Sequence, residues 1–128
     1  MEKAVALQVF EALSSPVRLD VFRLLVQAGR AGKVAGEIAE ALDVPPTNLS
    51  FHLKGLTQCG LASVEQEGRY QRYRANIPLM LDTIAFLTAN CCADDPDECA
   101  DLRRGTPAAA PFLPALEPVA RARGTSRS

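Results

Sequence analysis

Two helix-forming stretches stand almost back to back in this chain, and their closeness constrains the fold more than any other feature. Residues 35–42 carry Ile38, Ala39 and Leu42 at helical spacing, and residues 46–59 carry Leu49, Leu53 and Leu56. Only Asp43-Val44-Pro45 lies between them. Two short amphipathic helices joined by so tight a turn form a helix-turn-helix. The second stretch ends at Cys59-Gly60, and glycine suits the position just past a helix. Residues 61–66 and 69–75 then alternate on either side of Glu67-Gly68, which is the pattern of a β-hairpin. The expected fold class is mainly α with a small β-hairpin wing, a winged helix-turn-helix.

The flanking segments supply the rest of the core. Val5, Ala6, Val9, Phe10 and Leu13 make residues 3–13 an amphipathic helix. Ser15 suits an N-cap, Pro16 the first helical position, and Gly29 the stop of a second helix. That helix is apolar along two stripes, one through Val17, Val21, Leu24 and Leu25, the other through Leu19, Phe22 and Val26. Such a helix must be covered on two sides, so it is central or part of a subunit interface. Pro78 starts a last helix reaching about Asn90, with Leu79, Met80, Ile84, Phe86 and Leu87 apolar. The expected organisation is a winged helix-turn-helix domain over 1–90, a cysteine-containing segment over 91–104 and a flexible Pro/Ala-rich tail over 105–128.

Charge gives little away. The chain of 128 residues has a net charge of −1, which by itself argues against a nucleic-acid partner. Residues 1–77, however, hold nine Lys/Arg against eight Asp/Glu, and the basic groups cluster locally. No run of apolar residues is long enough for a transmembrane helix, and the N-terminus does not resemble a signal peptide. A cytoplasmic location with reduced thiols is expected.

On a helical wheel Leu49, Leu53 and Leu56 fall together as the buried side of 46–59, while Thr47, Phe51, Lys54 and Gln58 point outward. Asn48, Ser50 and Gly55 sit at the flanks. Hydroxyl, amide and ammonium groups on one face can read base edges in a major groove, and Phe51 suits a thymine methyl. In the hairpin, Arg69 and Arg72 are phosphate candidates, since such contacts fix register. Tyr73 reads as packing. His52, the only histidine, lies nearer the buried stripe and suits a structural role.

The order Ser15-Pro16-Val17-Arg18-Leu19, Gly36-Glu37-Ile38-Ala39, Leu49-Ser50-Phe51-His52-Leu53-Lys54-Gly55-Leu56, Gly60-Leu61 and Gly68-Arg69 with Tyr73 closely resembles the ArsR/SmtB family. The resemblance covers residues 5–90. It implies a dimeric metal- or metalloid-sensing repressor that binds operator double-stranded DNA. It further implies that the first and last helices build the dimer and that 46–59 is the recognition helix. Many ArsR-type members carry a Cys-x-Cys sequence where this chain has Lys33-Val34-Ala35-Gly36-Glu37-Ile38, so that site is absent. The histidines that zinc, cobalt and nickel sensors use in the last helix are absent too.

Instead, Cys91, Cys92 and Cys99 lie within nine residues just after the last helix. Thiolates select soft ions. Three sulfurs match the three bonds of As(III) or Sb(III), with a turn near Asp95-Pro96 bringing Cys99 back. Cd, Pb or Zn would want a fourth ligand, for which Asp94 is a candidate. The acidic neighbours Asp94, Asp95, Asp97, Glu98 and Asp101 make burial as simple hydrophobes implausible. They also disfavour thiolates, which counts slightly against a peroxide sensor; a Cd/Pb-responsive or thiol-redox-responsive repressor of the same fold is the alternative. Cys59, among Leu56, Gly60 and Leu61, reads as packing. The Cys-x5-Arg cradle of a phosphatase-like arsenate reductase is missing, as is Cys-x-x-Cys, so an enzyme is not expected.

Overall fold

The structure is a computed structural model and describes residues 1–106. Residues 107–128, most of the expected Pro/Ala-rich tail, lie outside the described residues. The described residues divide into two units, one up to Leu87 and one from Thr88.

The first unit opens with α1 (Lys3–Leu13) and α2 (Pro16–Ala28). Ser15 caps α2 through its hydroxyl, which accepts from the Arg18 amide, and Pro16 fills the first position. We expect Ser15→Ala to lower stability by about 1 kcal/mol, the usual worth of such a cap, read as a shifted urea midpoint at unchanged slope. A 3-10 turn (Gly29–Ala31) leads to β1 (Lys33–Val34), then α3 (Ala35–Leu42) and α4 (Pro46–Gln58). Glu37 closes the start of α3 by accepting from the Val34 amide at 2.9 Å. Asp43 takes the left-handed conformation (φ 53°) that ends α3, and Val44 donates back to the Ala39 carbonyl. Pro45 stands at the N-cap of α4 without a capping side chain.

The wing is β2 (Ala62–Glu67) and β3 (Tyr70–Ala75), antiparallel, and α5 (Ile77–Thr88) follows. The hairpin turn falls on Gly68-Arg69, one residue later than expected, because Glu67 pairs with Tyr70. Gly68 takes φ 61°, as a glycine in the first central position of a two-residue hairpin turn does. The wing is also not a bare hairpin. Strand β1 pairs with the other edge of β3, Lys33 with Tyr73 and Val34 with Arg72, giving the sheet order β1-β3-β2. Gly32 makes this pairing possible: a Cβ there would fall 2.4 Å from the Tyr73 carbonyl oxygen.

One core holds these elements. Val9 and Ala12 of α1, Val21, Phe22 and Leu25 of α2, Ile38 of α3, and Leu49, Leu53 and Leu56 of α4 pack with Leu61, Ala62 and Tyr73. Helix α2 is central, touching α1, α3, α4 and β3. Apolar side chains that this core does not absorb lie on α1 (Val5, Leu7, Phe10) and α5 (Leu81, Phe86, Leu87).

The second unit holds a 3-10 turn (Cys91–Asp94) and α6 (Pro96–Arg104). The expected turn at Asp95-Pro96 is the start of this helix: the Asp95 carboxylate accepts from the Asp97 and Glu98 amides. Arg104 pairs with Asp101 near its end.

Candidate nucleic-acid interface and thiol site

The buried leucines of α4 fix which side chains face out. Thr47, Asn48, Ser50, Phe51, Lys54 and Gln58 are all exposed, and Phe51 is 69% exposed although aromatic. Its ring meets His52 edge-on, centroids 5.4 Å apart. His52 is half-buried, and its Nδ1 lies 3.4 Å from Nη1 of Arg18, in agreement with a structural role. Polar groups on a helix anchored by three buried leucines form a rigid surface suited to base edges.

The wing arginines divide. Arg69 is exposed in the turn. Arg72, expected to meet a phosphate, is engaged within the wing: its Nε donates to both carboxylate oxygens of Glu67 (2.9 and 3.0 Å) and its Nη1 to the Ala31 carbonyl. Arg74 likewise donates to the Arg30 carbonyl at 2.7 Å and to Glu65. Alternation along the strand could not reveal these partners, because Ala31 and Arg30 reach β3 only through the unanticipated β1 pairing. Tyr73 is buried, and burial pushes its phenol up. Cys59 packs beside the core, its thiol donating to the Leu56 carbonyl.

In the second unit, the Sγ atoms of Cys91, Cys92 and Cys99 all lie within 4.8 Å of one another. Those of Cys91 and Cys92 are 3.5 Å apart. Thiolate bonds of about 2.3 Å, the zinc value, set sulfurs around one ion roughly 3.8 Å apart in tetrahedral directions and about 4.6 Å apart when opposed. The trio therefore lies near the spacing that a single soft ion requires. Two local devices gather it. Residues Asn90, Cys92, Ala93 and Asp94 take positive φ (54–63°), coiling the backbone tightly, and Asn90 donates to the Asp94 carboxylate. Helix α6 then carries Cys99, whose amide donates to the Asp95 carbonyl. The Cys92 thiol is pushed up to about 12, first by its hydrogen bond with Cys91, then by desolvation and by the neighbouring sulfurs.

A three-helix core, a helix presenting polar groups and a β-wing beside it define a winged helix-turn-helix DNA-binding protein. The comparisons agree. The helix-turn-helix domain family matches residues 13–65. The chain is 29% identical over 86 residues to the probable mercury resistance operon repressor of Streptomyces lividans, a match covering 67% of this chain and 65% of that one. An ArsR-like transcriptional regulator from Rhodococcus sp. RHA1 superposes with a TM-score of 0.60 at 30% identity, over 80% of this chain and 93% of the other. The homodimeric winged helix-turn-helix domain Mb0332 of Mycobacterium bovis, a possible ArsR-family regulator, gives a TM-score of 0.51 at 26% identity, over 66% of this chain and 83% of that one. This chain belongs to the ArsR/SmtB family of winged helix-turn-helix transcriptional regulators. Among the described residues, no helix is long and apolar enough to cross a membrane.

Proposed function

We propose that the protein is a cytoplasmic, homodimeric repressor that occupies an operator duplex and leaves it when As(III), or Sb(III), binds Cys91, Cys92 and Cys99. The single observation carrying the sensing half is the convergence of three sulfurs within 4.8 Å. The DNA half rests on the exposed face of α4. Thr47, Asn48 and Ser50 offer hydrogen bonds to base edges, Phe51 an apolar contact to a thymine methyl, and Lys54 a cation. Arg69 at the wing tip meets a phosphate, while Arg72 braces the wing from within. The apolar faces left open on α1 and α5 are the dimer surface, which sets two reading helices about one DNA turn apart. Ion binding draws the thiol segment into one arrangement, and a coupling of about 1–3 kcal/mol to the DNA-bound form is enough for a switch.

A soft divalent ion is the second reading, favoured by the similarity to the probable mercury resistance operon repressor of Streptomyces lividans. The two readings differ in proton balance. Arsenous acid reacts with three thiols to form three As–S bonds and three waters, releasing no net proton. A divalent ion must displace the thiol protons, including that of Cys92, which is held up to about 12. Divalent-ion affinity is therefore expected to rise at least about tenfold per pH unit from pH 6 to 8, one factor of ten for each proton displaced. Arsenite affinity is expected to stay flat over the same range. Competition titrations at three pH values check this, and an arsenite affinity climbing as steeply as that of cadmium contradicts it. The decisive test of the whole reading uses a duplex selected from a random pool by the reduced protein. Release by arsenite, antimonite, cadmium, lead, mercury and zinc is then compared by anisotropy. Retention of the duplex against every ion overturns the sensing half, and failure to select any duplex overturns the DNA half.

A further inference from the structure

We infer that Arg18 is a positioning residue for DNA binding, one that locks the rotation of the reading helix α4 to the C-terminal end of α1. The inference rests on the reading of α4 as the DNA-contacting helix. Arg18 rises from the first turn of α2 and reaches both neighbours. Its Nε donates to the Ala12 carbonyl at 2.8 Å, one of the last four carbonyls that α1 leaves without a helical partner. Its Nη1 lies 3.4 Å from His52 Nδ1 on α4. Its stem crosses α4 at Gly55, where a Cβ would stand 3.2 Å from Arg18 Cδ and 3.7 Å from Nη1. One planar guanidinium thus ties α1 to α4 at fixed directions, and glycine at 55 leaves room for it. A lysine ammonium has the charge but not the rigid fork.

Rotation matters because α4 carries its reading groups on side chains whose orientation tolerates only about 10–20° of error. The leucines beneath α4 hold it in place by packing, and a directional bond adds to that constraint against a small roll. Arg18 supplies such a bond to that helix through His52. It also lies on the border of the reading surface: Arg18, Phe51, Lys54, Gly55 and Gln58 line one depression of about 300 Å³. A rival role follows from that position, direct contact between Arg18 and a phosphate, and the two roles differ in salt dependence.

The experiment measures affinity for the selected duplex against salt for the parent, Arg18→Ala, Arg18→Lys, Gly55→Ala and the Arg18→Ala/Gly55→Ala pair. Arg18→Ala and Arg18→Lys should both bind about tenfold or more weakly, with the slope of log K against log salt unchanged and with dimer state and ion stoichiometry as in the parent. Gly55→Ala should weaken binding severalfold in the parent background and leave Arg18→Ala unaffected, since the crowded stem is then gone. A slope reduced by about one overturns the proposal in favour of a phosphate contact. Parent-like affinity in Arg18→Lys, or a Gly55→Ala effect of equal size in both backgrounds, overturns it as well. Arg18→Lys and Gly55→Ala keep the test open should Arg18→Ala fail to fold. A parent protein that selects no duplex would instead end the DNA-binding reading itself.

Discussion

Serine at any one of positions 91, 92 or 99 should leave the protein on its DNA at ion concentrations that release the parent. Each change swaps a soft sulfur for a hydroxyl that keeps its proton at neutral pH, and soft ions bind oxygen of this kind poorly. Loss of a partner that merely orients a metal ligand already costs about 10–100-fold in affinity. Loss of one of three ligands should cost more than about a hundredfold. The three substitutions should act alike, because the sulfurs form one set within 4.8 Å and two survivors make an incomplete site. Ion-free folding and DNA affinity should be unchanged, since the thiols lie outside the core of the first unit. Ultraviolet thiolate-to-ion absorption should fall in step with the lost release. Full release in all three variants would remove these cysteines from the sensing function.

Lys54→Glu should abolish tight DNA binding while the protein stays folded. Lys54 is exposed on the outward face of α4, and its side chain enters none of the hydrogen bonds or ion pairs described. Surface exchanges of this sort usually change stability by no more than about 0.5 kcal/mol. At the DNA surface the same exchange removes a cation and adds an anion against a dense row of phosphates. Each neutralised phosphate contributes about 0.9 to the salt slope, so charge reversal should flatten it by about one to two. A loss of about a hundredfold near physiological salt is expected, shared by specific and unrelated duplexes. Affinity within twofold of the parent, at unchanged slope, would place α4 away from the DNA.

The sequence left readable whatever depends on neighbours in the chain. Ser15-Pro16 begins α2 because a hydroxyl and a fixed φ act within one turn. The leucines of α4 revealed both its buried side and, by opposition, its exposed one, because a 3.6-residue period leaves no freedom in that choice. The three thiols could be suspected of convergence because only six residues part Cys92 from Cys99. The left-handed coil at 92–94 that brings them together was not foreseeable, since no glycine marks it.

What tertiary structure alone decided are the partners brought from far along the chain. Strand β1 has two residues and so no alternation to read, and it exists only because β3 offers an edge. That pairing brings Ala31 and Arg30 to Arg72 and Arg74, and so engages within the wing two arginines that alternation alone leaves outward. In the same way Arg18 and His52 are 34 positions apart, and their meeting is a property of packed helices. Sequence set each residue's face through short-range periodicity. Which long cationic side chains remain free for DNA was set by where carbonyls and carboxylates arrive once the core has closed.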